Sequence, residues 1–339
     1  MRKIRIAQIG TNTHSHAPFV FDSLKKQSDL FEIVGYALPE HERERLSADK
    51  YACFDGYREM TVDDIMHDPT IEAVAVETDE IYLSKYALMA ARHGKHIHME
   101  KPGGIDFAEF DAMIEAVREN RVVFHTGYMY RYNPQIQKLL ASIKAGELGD
   151  IVSVDAQMSC LQPQFVRNWL ATFPGGMLFF LGCHLVDLVM QIMGAPQSVV
   201  PLSARSGVDG AQSEDIGLAV LQYPNSVCTV KSSAVDFGGF ARRHLVVTGT
   251  KGCAEIRPLE MYLPDAIGSS NLYTEQTTYT SLSWGDMGVK ERSEAYDRYD
   301  DMLASFAAMV RGEKENPYTL DYERELYKTI LQCCGVHIS

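Results

Sequence analysis

The sequence lacks the marks of a small secreted protein or of a nucleic-acid binder. Its seven cysteines, Cys53, Cys160, Cys183, Cys228, Cys253, Cys333 and Cys334, include no C-x-x-C pair and are odd in number. A disulfide framework is therefore not expected, and buried thiols in a reducing compartment are. Positive charge is scarce: 32 Lys and Arg against 45 Asp and Glu leave a net charge of −13. That balance argues against a surface that binds phosphate backbones. The apolar run from Ile4 to Ile9 is too short and interrupted for a signal peptide. One stretch looks membrane-like, residues 175–194, but His184, Asp187 and Gln191 break it, and ionisable groups at mid-membrane are costly. It reads as a buried helix with its lead-in. No internal repeat is visible. The expectation is a cytoplasmic protein with neither a nucleic-acid nor a membrane partner.

What is present is a two-part chain. A length of 339 residues suggests two domains and a sizeable core. Over the first 125 residues, short β-like runs alternate with helical ones: strands at Ile4–Ile9, Phe31–Ala37, Glu72–Val76, His96–Met99 and Val122–Phe124. The helices between them lie near Ala17–Gln27, Ile81–His93 and Asp106–Glu119. This alternation indicates βαβ units and a parallel sheet. From residue 126 to 339 strand-like runs dominate, near 151–158, 198–204, 216–223, 227–235, 244–248 and 253–256, with Pro224-Asn225 reading as a hairpin turn. Helices are expected near 134–145, 296–311 and 321–334, and a surface excursion near 268–283. The fold class is α/β: an N-terminal doubly wound parallel sheet over 1–125, then an α+β domain with a mostly antiparallel open sheet over 126–339.

A strand ending at Gly10, followed by a loop and a helix, is where such a sheet binds a pyrophosphate through bare amides and the helix dipole. The fingerprint G-x-G-x-x-G is incomplete. Gly10, Thr11, Asn12, Thr13, His14 and Ser15 keep only its first glycine. Asn12 tolerates left-handed backbone, and Ser15 is small enough to pack closely. The acid expected about 20 residues on, at the end of the next strand, is replaced by Leu38, with Glu40 two residues further. NAD and NADP both stay open.

Residues 71–104 add a more specific pattern: strand, Glu77-Thr78-Asp79-Glu80, helix, Gly94-Lys95-His96, strand, then Glu100-Lys101-Pro102. Gly127-Tyr128-Met129-Tyr130-Arg131-Tyr132-Asn133-Pro134, Gly146-Glu147-Leu148-Gly149, Gly175-Gly176, Leu181-Gly182-Cys183-His184-Leu185-Val186-Asp187 and Gly249-Thr250-Lys251-Gly252 follow at matching spacing. The chain resembles the glucose–fructose oxidoreductase, inositol dehydrogenase and rhizopine-catabolism dehydrogenase family (Gfo/Idh/MocA) over nearly its whole length. The resemblance implies a Rossmann domain and a second domain whose open sheet often forms an oligomer interface, hence a homodimer or homotetramer. It also implies NAD or NADP as cofactor and a small sugar-like substrate.

The implied roles agree with the residues. Hydride leaves an alcohol carbon as the hydroxyl proton departs, so a positioned base such as Lys101 lowers the barrier. Lys101 stands at the C-terminal end of a parallel strand, where open α/β sheets bind ligands. His184 is expected to hold or relay the proton. Gly10, Thr11, Asn12, Thr13, Leu38, Thr78, Glu80, Glu100 and Lys101 are the expected cofactor residues; Tyr128, Arg131, Arg167, Trp169 and His184 the expected substrate residues. No metal site is expected. The family's relay carboxylate, four residues before the histidine, is Phe180 here. The alternatives are therefore a weakly active or non-catalytic ligand-binding descendant, or a lyase-type use of a bound cofactor.

Overall fold

In a computed structural model that describes residues 2–12, 14 and 16–338, the chain forms two compact units. The first comprises Met1–Tyr128 and Tyr299–Arg324; the second comprises Met129–Arg298 and Glu325–Ser339. The chain thus returns to the first unit near residue 299, a second crossing beyond the change of character near residue 125.

Five parallel strands make the first unit's sheet: β1 (Ile4–Ile9), β2 (Phe31–Ala37), β3 (Ala73–Val76), β4 (His96–Met99) and β5 (Phe124–Thr126), in the order β2-β1-β3-β4-β5. Every residue of β3 is buried, as expected for a central parallel strand covered on both faces. The helices are α1 (Ala17–Lys26), α2 (Glu42–Arg45), α3 (Val62–His67), α4 (Leu83–Arg92) and α5 (Phe107–Asn120). A reciprocal Thr61–Asp64 capping box starts α3, and the Asp106 carboxylate accepts from the Ala108 N–H to start α5. β5 lies two residues later than the apolar run at 122–124 suggests, because the sheet register pairs Phe124, His125 and Thr126 with Ile97, His98 and Met99.

The second unit is built on eight strands in the order β15-β14-β11-β10-β6-β9-β8-β7. They are β6 (Ile151–Gln157), β7 (Ser198–Ala204), β8 (Ile216–Tyr223), β9 (Ser226–Ser233), β10 (His244–Gly249), β11 (Cys253–Ile256), β14 (Glu275–Tyr279) and β15 (Val289–Arg292). A two-stranded ribbon, β12 (Met261–Tyr262) with β13 (Leu272–Tyr273), stands apart. Only β6 and β9 pair in parallel. The expected surface excursion at 268–283 is corrected in part: β14 pairs with β11 and extends the sheet. Its β-branched Thr277 and Thr278 suit a half-buried strand, although the Ser/Thr-rich composition reads as loop.

Three helices serve this unit: α6 (Pro134–Lys144), α7 (Gln164–Leu170) and α8 (Cys183–Met193). The Asn133 side chain accepts from the Gln135 and Ile136 N–H groups, and Pro134 follows at the first helical position, where it lacks no needed donor. α8 is buried along its first eight residues and packs on β6 and β9. Near the C-terminus α9 (Asp300–Val310) belongs to the first unit, while α10 (Leu320–Cys333) starts in the first and ends in the second. No helix among the described residues is long and apolar enough to cross a membrane.

Candidate active site

In the first unit, the chain emerges from β1 at Gly10, whose φ of +86° belongs to the left-handed region. A Cβ there would lie 2.4 Å from Thr78 Cγ2, so only glycine lets the turn run so close to the end of β3. The Thr11 N–H donates to Glu42 Oε2 at 3.2 Å, and the Asn12 amide nitrogen donates to Thr78 O at 3.1 Å and Glu80 Oε2 at 3.3 Å. The sequence pattern thus brings together Gly10, Thr11, Asn12, Thr78 and Glu80. Leu38 is the half-buried residue after β2. Thr13 lies outside the described residues.

Glu42 is not announced by the sequence pattern, which points to Leu38 and Glu40; the backbone takes positive φ at Glu40 and His41 and carries Glu42 back to the turn. Glu42 is fully buried, and its Oε1 has no hydrogen-bond partner among the described residues. Burial pushes its carboxyl up to about 9, with the Thr11 N–H opposing. A closely packed turn with an unsatisfied acceptor beside it suits a ligand bearing hydroxyls and a pyrophosphate, so the residues fit a dinucleotide.

At the end of β4, Lys101 is 6% exposed, and its Nζ stands 3.8 Å from Glu100 Oε1. The Lys101–Pro102 bond is cis. Glu100 and Glu80 are buried as well. Burial raises both carboxyls, Glu80 to about 8, while the Lys101 charge pulls both down. The raised carboxyls and the Lys101 amine thus form one coupled cluster of ionisable groups. Tyr128 ends this unit as a buried residue whose N–H donates to Thr126 O at 2.8 Å.

The second unit holds the other expected residues. His184 is the second residue of α8, 2% exposed, with its ring edge-on to Tyr130 at 5.2 Å between centroids. Tyr130 is itself fixed, its hydroxyl donating to Glu260 Oε1 at 2.6 Å, and Arg243 and Arg298 hold the same carboxylate. Arg131 lies 1% exposed and meets Asp187 through both Nε and Nη2, the latter at 2.8 Å from Oδ1. That pair joins the 129–132 turn to α8. Arg167 is also internal, donating to Gln162 O at 2.5 Å and Asp209 Oδ2 at 2.6 Å. Phe180 sits in a wide π-helical turn, Leu178–Gly182, and packs edge-on against half-buried Trp169 at 5.0 Å. Trp169 meets Phe173 in the same way at 4.7 Å.

The N-terminal part matches the family described as "Oxidoreductase family, NAD-binding Rossmann fold" over residues 4–128, and residues 136–255 match the GFO/IDH/MocA C-terminal domain. The chain belongs to the Gfo/Idh/MocA oxidoreductase family. It is 25% identical over 272 residues to an uncharacterized oxidoreductase, YrbE, of Bacillus subtilis (strain 168), covering 76% of this chain and 73% of the relative. It is also 25% identical to a trans-1,2-dihydrobenzene-1,2-diol dehydrogenase of Mus musculus, covering 68% of each. The fold resembles that of an aldose-aldose oxidoreductase from Caulobacter crescentus, with a TM-score of 0.76 at 18% identity, covering 98% of both chains. The chain is an enzyme of this class, and its cofactor is NAD or NADP.

Proposed function

We propose that the protein oxidises a hydroxyl of a sugar, inositol or related polyol, or reduces the matching ketone. The observation that carries this reading is Lys101: an amine buried at the carboxyl end of a parallel strand, within 3.8 Å of a carboxylate. The nicotinamide, when bound, supplies the hydride acceptor or donor. Gly10, Thr11 and Asn12 would line its pyrophosphate, while Glu42 offers the acceptor for a ribose hydroxyl that Leu38 cannot. Thr78, Glu80 and Glu100 complete the wall. Lys101 takes the hydroxyl proton of an alcohol or returns it to a ketone oxygen. His184 is a second proton-holding group, with Tyr130 fixing the plane of its ring.

Among the expected substrate residues, half-buried Trp169 offers an aromatic face for a sugar ring, whereas Tyr128 is buried. Arg131 and Arg167 act by shaping the pocket wall, since their guanidinium groups already meet Asp187 and Asp209. Seven free thiols support a reducing, cytoplasmic setting. The open eight-stranded sheet, with Val200 and Leu202 of β7 exposed, supports self-association as a dimer or tetramer. The test is a panel of sugars and polyols with NAD or NADP, read by nicotinamide fluorescence, on wild type and Lys101→Met. Turnover of a polyol that Lys101→Met abolishes is expected; equal turnover by the variant would remove Lys101 from the chemistry.

A further inference from the structure

The carboxyl edge of the five-stranded sheet holds more buried acid than that chemistry uses. Strand register sets its geometry. Gln8, Ala75, His98 and His125 are successive partners across β1, β3, β4 and β5. Two residues further on, and so on the same face, stand Gly10, Glu77, Glu100 and Gly127. The rung is closed by backbone bonds from Glu77 N–H to Ile9 O (2.8 Å), Glu100 N–H to Val76 O (2.9 Å) and Gly127 N–H to Met99 O (2.7 Å). Two carboxyls thus lie side by side between two glycines. A Cβ at Gly127 would stand only 3.3 Å from Glu100 Cα.

Glu77 is fully buried, and neither of its carboxyl oxygens has a hydrogen-bond partner among the described residues. The same holds for His98 Nε2, which stands 3.7 Å from Glu77 Oε1. On its other side, His98 Nδ1 lies 2.8 Å from His125 Nδ1, and Phe306 of α9 packs against both rings. Unsatisfied polar atoms at this depth are rare and call for a reason. Glu77 is faced by Glu80 from its own turn, by Glu100, Lys101 and His98 from β4, and by His125 beyond. β1 brings the neutral Gln8 and Asn12 to this level, and α9 brings Phe306.

Building on the dehydrogenase reading above, we propose that Glu77 is a positioning residue for Lys101. It is a buried carboxyl whose proton is coupled to that of the amine through Glu100, with the His98–His125 pair behind it. Three carboxyls cannot all ionise around one ammonium in a desolvated site. Burial, then Glu100 and Glu80, push Glu77 well above the usual carboxylate range, and Lys101 pulls it down. The coupling is reciprocal: a Glu77 carboxylate must strengthen the hold of Lys101 on its proton. His98 suits the supporting place because burial lowers it to about 3 and keeps the ring neutral. Its Nδ1 shares one proton with His125 Nδ1, and its Nε2 faces Glu77 Oε1 at 3.7 Å. In the π-helical turn where the family resemblance puts a carboxylate, this chain has Phe180. The carboxyls that titrate with Lys101 then come from its own sheet.

The test needs neither substrate nor cofactor. In full-length protein labelled at lysine and glutamate, NMR follows the titrations of Lys101 and Glu77, assigned with Lys101→Met and Glu77→Gln. Glu77→Gln is expected to lower the Lys101 midpoint by about one unit, a tenfold loss of proton affinity. Lys101→Met is expected to raise the Glu77 midpoint, which keeps the test open if Glu77→Gln fails to fold. Midpoints that ignore each other would overturn the proposal. Nicotinamide binding and turnover would be unaffected by that result, whereas failure of the dehydrogenase reading appears as absent cofactor binding.

Discussion

Replacing Asp187 by leucine removes the carboxylate that the Arg131 guanidinium meets inside the second unit. Both side chains are 1% exposed, and the contact is two-pronged, with Arg131 Nη2 at 2.8 Å from Oδ1 and Nε at 3.0 Å from Oδ2. Removing one partner of such a buried pair costs about 3–5 kcal/mol, because the remaining charge stays desolvated. For a unit of about 150–250 residues, each kcal/mol moves the melting temperature by about 2–4 °C. The expected loss is therefore about 6–20 °C. Gln191, whose amide donates to Asp187 Oδ2 at 2.8 Å, cannot replace the charge. Replacing both members, Arg131→Met with Asp187→Leu, should recover most of the loss, since no charge is left unpaired. The assay is calorimetry or urea unfolding of the single and double variants beside wild type. A single variant as stable as wild type would refute the reasoning and return Arg131 to the substrate pocket.

Three further outcomes follow from the first unit. Gly10→Ala forces a Cβ to 2.4 Å from Thr78 Cγ2 at positive φ, which should cost about 1–3 kcal/mol in unfolding experiments and weaken nicotinamide binding in calorimetry. Glu42 is neutral in the fold up to about 9 but ionises near the ordinary carboxylate value when unfolded. It therefore binds a proton on folding, and its contribution to stability falls as pH rises from about 4.5 towards 9. Glu42→Gln should flatten that fall in a pH series of urea midpoints. Lys101→Met should lower kcat/KM about 10²–10⁴-fold and also lower the melting temperature, since buried Glu100 loses its cation.

Much of this was legible from hydrophobic period and punctuation. Strands β7, β8 and β11 end where the apolar runs end, and Gly94, Pro134 and Gly146 mark helix limits as local chemistry requires. Lys101 and His184 stood out because their flanking motifs are unusual. The first turn was harder. Glu42 reaches Thr11 through two left-handed residues, Glu40 and His41, that carry no glycine to announce the bend. Glu77 was visible only as one letter in a motif. Its partnership with Glu100 and His98 depends on how two parallel strands line up, and parallel register is not written in any single strand. For Arg131 and Arg167 the sequence shows that a guanidinium is present, but not that Asp187 or Asp209 meets it. The late return of residues 299–324 to the first unit is likewise a property of the tertiary fold.

The central claim, a nicotinamide enzyme whose proton is handled by Lys101, is tested most directly by calorimetric titration of NAD(H) and NADP(H) into wild type and Lys101→Met, followed by turnover of both on the polyol panel. The account predicts saturable binding of at least one cofactor by both proteins and turnover by wild type alone. Absence of binding at millimolar cofactor, or equal turnover by the variant, would contradict it.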